Sequence, residues 1–537
     1  MEVKQWLLMC LIFLPGLALA EEAPAAPATS PAAAPPSAPD DAQGGSRFDI
    51  LEYDVAGNSV LPTLAIERAV YPFLGEKKTV KDVEQARQAL EKAYHDAGYL
   101  TVLVDIPEQE VERGLVQLKV TEARIDRLKV SGSRYYSLGW IKRQVPALAE
   151  GSLPYFPDVQ KELTALARAP DRQVVPVLRA GKAPGTVEVD LQVKDTLPLH
   201  GSIEANNRYG PNTTHSRVTA SLRYDNLWQR QHSLSLSYQV APEKPRESNV
   251  LSGTYVVPGA DGQAYALYAV RSRSNVAAVG GFTSLGKGNF YGLRWIVPLP
   301  SHDDLYSHTL TLGMDYKDSF ESVVGSADTI NTPIRYAPFM LQYAGNQRWE
   351  KAYTQFDIAA NFHLRGASNN DEEFANKRFD ASANYFYVRG DLRHTQALGK
   401  WSALAKMSGQ AASGPLISNE QFAAGGADSV RGYLEAEALG DAGAQATLEL
   451  HTPPLLNPAA SGFEQFFALA FFDRAWLTIL SPLPSQQSGF SLSSAGVGLR
   501  IKGKGLQFGL DWAMPFKSLT YTQARTPRIH ASLAYEF

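Results

Sequence analysis

The sequence predicts two copies of a small α+β module followed by an all-β transmembrane barrel of about 16 antiparallel strands. Three observations predict it. A β, α, α, β, β pattern that starts at Phe48 returns about 75 residues further on. From Leu199 to Phe537 short stretches alternate apolar and polar residues with the period of a strand, and no amphipathic helix is evident. The connections between those stretches alternate between long and short, as expected when one set faces the outside and the other the periplasm.

Composition narrows the class without deciding it. The 537 residues carry Lys+Arg 51 against Asp+Glu 55, a net charge of −4, so no basic excess invites nucleic acid. A mean hydropathy of −0.21 and the lack of a long apolar run beyond the N-terminus exclude a polytopic helical membrane protein. A barrel survives this test, because its lipid and lumen faces average to ordinary hydropathy.

The first element is an export signal. Lys4 precedes an apolar stretch from Trp6 to Leu19, and Ala18-Leu19-Ala20 offers a small-x-small cleavage site, so residues 1–20 are expected to be removed. The one cysteine, Cys10, lies in that segment, which leaves no disulfide or thiolate metal site, and no H-E-x-x-H spacing occurs. Residues 21–46 hold prolines at 24, 27, 31, 35, 36 and 39 among alanines, the composition of an extended linker.

The modules follow, at 47–123 and 124–196. In the first, Phe48 to Val55 reads as a strand stopped at Gly57-Asn58, a short helix runs to about Tyr71, and Thr79 with Asp82 starts a second helix by a capping box. Val83, Ala86, Leu90, Ala93 and Ala97 form its inner face, Gly98 ends it, and strands Thr101–Ile106 and Val116–Glu122 close the unit. In the second, Val130-Ser131-Gly132-Ser133 echoes Val55-Ala56-Gly57-Asn58, a helix runs near Asp158 to Arg168, and Val193-Lys194-Asp195 stands where Val120-Thr121-Glu122 stood. A three-stranded sheet with helices on one face leaves a strand edge free to pair with an extended guest polypeptide.

The barrel occupies 197–537, with strands expected near 199, 215, 232, 249, 264, 289, 306, 333, 353, 380, 400, 443, 465, 490, 505 and 527. The last strand alternates Ile529, Ala531, Leu533, Tyr535 and Phe537 outward, and an aromatic at the C-terminus, with Tyr535 beside it, is the expected barrel-assembly signal. The longest loop, about 411–442, contains Gly425-Gly426-Ala427-Asp428-Ser429-Val430-Arg431-Gly432-Tyr433. Gly432 permits a tight turn that folds Arg431 inward, and Phe471-Phe472-Asp473 puts a carboxylate in the wall. A lumen-facing Asp473 is costly unless paired, and Arg431 is its natural bidentate partner.

Val430-Arg431-Gly432-Tyr433 with Phe471-x-Asp473, after paired modules and before a terminal Phe537, resembles the Omp85 superfamily. Two modules and about 16 strands narrow the resemblance to the transporters of two-partner secretion, the haemolysin and filamentous-adhesin secretion family. It covers the chain from Phe48. The resemblance implies that the modules are POTRA domains in the periplasm that capture the secretion signal of a large exoprotein. It also implies that the inward loop holds Arg431 against Asp473. Two departures stand out: the prolines of 21–46 argue against the pore-plugging N-terminal helix of many members, and Ala475 occupies a position where glycine is expected.

The expected function is therefore a secretion pore in the outer membrane of a Gram-negative bacterium, acting as a monomer. Its expected partners are a passenger with an N-terminal secretion domain, outer-membrane lipid and the barrel-assembly machinery. An insertase of the same superfamily is the alternative, which two modules rather than more argue against. No G-x-x-x-x-G-K-[ST], G-x-S-x-G or metal-ligand spacing appears, so neither enzyme, cofactor nor metal is expected, and transport would draw on passenger folding outside.

Overall fold

The computed structural model describes residues 47–537 apart from 112, 168, 275, 280–281, 302, 304, 321, 325–328, 367–369 and 458–461. The expected signal and linker, and Arg168 at the end of a predicted helix, lie outside the described residues. The chain divides into two units, one ending at Pro198 and one running from Leu199 to Phe537.

In the first unit, the leading module comprises β1 (Phe48–Ile50), β2 (Glu52–Ala56), α1 (Thr63–Val70), β3 (Gly75–Lys78), α2 (Val80–Asp96), β4 (Val102–Asp105) and β5 (Leu115–Glu122). Its sheet has the order β2-β5-β4, with β2 parallel and β4 antiparallel to β5. The strand predicted over Phe48–Val55 is broken at Leu51. There the Gly114 carbonyl accepts both Leu51 N (2.8 Å) and Glu52 N (3.2 Å), and β1 turns away to pair with β3. Helix α2 starts as expected, with Asp82 Oδ2 accepting Thr79 N (2.8 Å) and Thr79 Oγ1 (2.7 Å). Val83, Ala86 and Leu90 are buried, and Tyr94 completes the face, donating its hydroxyl to Asn58 Oδ1 at 2.6 Å.

The second module repeats the plan with β6 (Arg124–Ser131), α3 (Leu138–Arg143), α4 (Phe156–Ala167), β7 (Arg172–Ala180) and β8 (Thr186–Asp195), in the sheet order β6-β8-β7. The repetition extends to single atoms. Gly57 (φ +94°) and Gly132 (φ +85°) each press the backbone so close to the neighbouring strand that a Cβ would stand 2.3 Å from the carbonyl oxygen of Val120 or Val193. The acid two residues beyond each contact then caps the turn. Glu122 accepts Ser59 N (2.6 Å), Ser59 Oγ and Val60 N (3.2 Å), and Asp195 accepts Ser133 Oγ (2.8 Å), Arg134 N (2.9 Å) and Tyr135 N (2.9 Å). Burial alone would raise the Asp195 pKa, but these donors favour the carboxylate and hold it below the ordinary value.

The second unit is a closed antiparallel barrel. Its strands are Leu199–Asn206, Arg217–Leu227, His232–Val240, Asn249–Pro258, Ala264–Ser272, Gly288–Pro298, Tyr306–Ser319, Ile334–Tyr336 with Phe339–Arg348, Ala352–Phe362, Phe386–Leu398, Trp401–Ala412, Ala442–His451, Gln465–Thr478, Gly489–Gly503, Leu506–Pro515 and Arg528–Glu536. Ile334–Tyr336 and Phe339–Arg348 both pair with Tyr306–Ser319 and are one strand interrupted at Ala337-Pro338, which makes a 16-strand ring. Long connections such as 273–287, 363–385 and 413–441 leave one rim. Those at the other rim are short, as at 228–231, 399–400 and 504–505, with 452–464 as the exception.

The wall is inverted relative to a water-soluble protein. Leu236, Leu251, Leu267, Leu293, Leu341, Leu448, Val497 and Leu533 are exposed outward, whereas Gln239, Thr311, Gln342, Ser408, Gln445, Asp473, Asp511 and His530 are buried inside. That is the pattern of a barrel whose outer solvent is lipid. No helix among the described residues is long and apolar enough to cross a membrane, which says nothing of strands.

One expectation for this unit is corrected. Connection 363–385 contains a helix, α5 (Asp371–Lys377), capped by Asn370 and Glu373, and the strand expected near 380 begins at Phe386. Phe374 from this helix is buried with Tyr336, Tyr385, Tyr387 and Leu416.

Candidate functional site: a loop fastened inside the barrel

The connection 413–441 turns into the lumen because its apolar residues find a wall there. Phe422, Ala424, Val430, Tyr433 and Ala438 are buried with Ala475, Leu477 and Leu492 of the barrel. Ala475, standing where glycine was expected, therefore packs its methyl group against the loop. Phe422–Ala424 pairs with Ala438–Gly440 as a small hairpin below the tip. The tip itself needs glycine: Gly432 has φ +92°, and a Cβ there would meet the Pro515 ring at 3.2 Å.

Arg431 meets Asp473 side-on. Its Nε is 2.8 Å from Oδ2 and its Nη2 2.9 Å from Oδ1, and its backbone N donates to Oδ2 at 3.1 Å. Two further carboxylates surround the guanidinium, Glu449 at 2.9 Å and Asp511 at 3.9 Å, themselves bound by His451 and Arg500, each at 2.8 Å. The plane of the guanidinium rests on the Phe471 ring, 3.4 Å from its centroid. Arg431 is 2% exposed and Asp473 0%, so the pair sits in a dry pocket where a fork geometry matters more than charge alone. The Tyr433 hydroxyl donates to Lys517 O at 2.8 Å, fixing the far side of the tip. Val430, Arg431, Gly432, Tyr433, Phe471 and Asp473 thus form one contiguous cluster.

The base of the loop has its own fastening. Asp441, 0% exposed, accepts Leu416 N (2.9 Å), Leu480 N (2.7 Å), Gln421 Nε2 (3.1 Å) and the Arg378 guanidinium, with Nη2 at 2.7 Å. Glu420 accepts Lys317 Nζ (2.6 Å), Tyr336 OH (2.6 Å) and Tyr387 OH (2.8 Å). Neither cluster was foreseen from the sequence. Glu449, Asp511 and His530 were also missed, although each stands at an inward position of its strand and strand parity alone could have singled them out.

Tyr535 and Phe537 lie elsewhere, at the short-turn rim on the lipid face, with rings 6.2 Å apart. Phe537 closes the ring through two backbone hydrogen bonds with Gly201, each 3.0 Å. Its side chain covers Gly201 so closely that a Cβ would come within 2.2 Å of the ring.

Comparison with known proteins bears on the family and the fold. Residues 185–501 match the family model "Haemolysin secretion/activation protein ShlB/FhaC/HecB", and residues 48–123 match "POTRA domain, ShlB-type". The outer membrane transporter CdiB of Dickeya dadantii is 22% identical over 71% of this chain and 68% of its own length. The heme/hemopexin transporter protein HuxB of Haemophilus influenzae is 19% identical over 81% and 77%. Among solved structures, CdiB from Escherichia coli superposes with a TM-score of 0.62 over 94% of this chain and 93% of that one, at 16% identity. BamA from Haemophilus ducreyi lacking POTRA domains 1–3 gives 0.57 over 92% of this chain and 100% of that shortened one at 15% identity, a likeness of fold. The chain therefore belongs to the haemolysin secretion/activation family ShlB/FhaC/HecB of the Omp85 superfamily, and is a two-partner secretion pore of the outer membrane.

Proposed function

We propose that this pore exports one large exoprotein, recognised by an N-terminal secretion domain that pairs as an added strand with the sheet edges of the modules at 47–123 and 124–196. The passenger then passes unfolded through the lumen, and the loop at 413–441 leaves the lumen to admit it. The observation that carries this reading is the buried Arg431–Asp473 pair, which secures a removable segment across the pore by a few strong, localised contacts. The edges of β4 and β7 support the recognition step, since each pairs on one side only within its sheet. In this reading the pore acts as a monomer, is delivered by the barrel-assembly machinery through its C-terminal Tyr535 and Phe537, and needs neither cofactor nor catalysis. Transport is drawn forward by folding of the passenger outside. The test is deletion of either module: passenger export is abolished while the barrel still appears in the outer membrane. Normal export by a barrel lacking both modules would refute the proposal.

A further inference from the structure

The strand pairing is shortest where the chain's two barrel ends meet. Arg528–Glu536 pairs with Leu506–Pro515 from Arg528 to Tyr535, but with Leu199–Asn206 only from Ser532 to Glu536. Above that point one backbone bond and the Asn207 side chain continue the contact. Asn207 donates Nδ2 to Ile529 O (2.8 Å), accepts Ala531 N on Oδ1 (2.9 Å) and donates its own N to Ala531 O (3.2 Å). The Arg528 guanidinium lies 5.1 Å from the Tyr209 ring centroid.

The loop tip lies across this same stretch and touches both sides of it. On the last strand, Gly432 N donates to His530 Nε2 at 2.9 Å, and His530 is 5% exposed. Beside the first strand, Asp428 pairs with Arg208, and Glu435 N donates to Tyr209 O at 3.1 Å. A backbone N–H can only donate, so His530 must present Nε2 without a proton to receive it.

We propose that His530 and Arg208 are positioning residues that fasten the loop tip across the seam, so that the docked loop holds the two barrel ends together above Asn206 and its release loosens them. The proposal rests on the reading of 413–441 as a loop that docks and leaves. It is tested without a passenger, so its failure is distinguishable from a failure of that reading.

The experiment uses the full-length transporter in lipid vesicles with Ser429→Cys and Thr447→Cys, a pair placed by the 3.4 Å contact between Thr447 Oγ1 and Ser429 O. Cys10, in the expected signal, is the one native cysteine. A short bifunctional maleimide reports tip docking, and hydrogen exchange reports the amides of 529–531. His530→Leu removes the acceptor and His530→Lys replaces it with a donor. Each lowers cross-linking about tenfold and raises exchange at 529–531, with exchange in Phe339–Arg348 across the barrel unchanged. His530→Gln places an acceptor oxygen near the same point and restores both readouts. Asp428→Asn, which weakens the Arg208 side without touching His530, moves both readouts in the same direction. The proposal is overturned if exchange at 529–531 stays at the wild-type level while the tip is detached, or if Gln behaves as Leu does.

Discussion

Removing Arg431 is expected to cost more than removing Asp473, and the structure says by how much. Arg431→Ala strips Asp473 of two of its three hydrogen bonds and leaves a fully buried carboxylate beside Glu449 and Asp511. Charge-assisted bonds contribute about 1.5–3 kcal/mol each, and breaking one side of a buried pair costs about 3–5 kcal/mol. Water entering the emptied lumen offsets part of this, leaving about 3 kcal/mol, or roughly a hundredfold in the docking equilibrium of the loop. Asp473→Ala leaves Arg431 still bound to Glu449 at 2.9 Å and resting on Phe471, so about 1–2 kcal/mol is expected, or roughly tenfold. Arg431→Lys loses the fork but keeps a charge and falls between. The double variant is no worse than Arg431→Ala, because with Asp473 gone no carboxylate is orphaned there. The assay is cross-linking of the loop tip to the wall, normalised to assembled barrel in the outer membrane. Additive losses of cross-linking, wild-type cross-linking in Arg431→Ala, or a larger loss in Asp473→Ala would refute the reasoning.

Asp441→Ala leaves the Leu416 and Leu480 amides without their acceptor and Arg378 with only the Leu416 and Leu480 carbonyls and no carboxylate, and should lower the temperature at which the folded barrel unfolds in a heat-modifiability gel; no shift would show that the base of the loop is held otherwise. Deleting Phe537, or replacing Gly201 with Val so that the ring has no seat, should each reduce assembled barrel in the outer membrane, and equal levels of folded barrel would count against that role. Because the Asp195 pKa is lowered on folding, its contribution to module stability is fully present above the unfolded value of about 3.9 and is lost as pH falls through the folded one. Asp195→Asn should therefore destabilise the pair of modules at neutral pH, with the difference from wild type shrinking in acid; a pH-independent difference in melting temperature would refute the assignment.

The barrel was legible because lipid and lumen enforce a strict two-residue alternation, and the strand starts read from it mostly fall within a few residues of those in the structure. The modules were legible because the same turn recurs, and the equivalence read from Gly57 and Gly132 reappears as the same backbone contact with Val120 and Val193. What could not be read depends on contacts distant in sequence. Leu51 breaks its strand because of Gly114, a residue far along the chain. Helix α5 is short and polar outside, and its one deeply buried apolar residue, Phe374, gives no periodicity to detect. At the site, the motif residues announced one carboxylate for Arg431. Glu449, Asp511 and His530 come from three other strands, and only the register of the closed barrel brings them to the tip.

A polypeptide that passes through this lumen must touch the inward side chains of the wall. The most direct measurement stalls a passenger by fusing a stably folded domain to its C-terminus, with a photo-crosslinking amino acid placed at neighbouring positions on opposite faces of the wall. Thr311, Gln342 and Ser408 face inward, and Leu312, Leu341 and Met407 face lipid. Adducts with the passenger are expected from the inward set and none from the outward set. Adducts from the outward set, or none from either while the passenger is still exported, would contradict passage through the lumen.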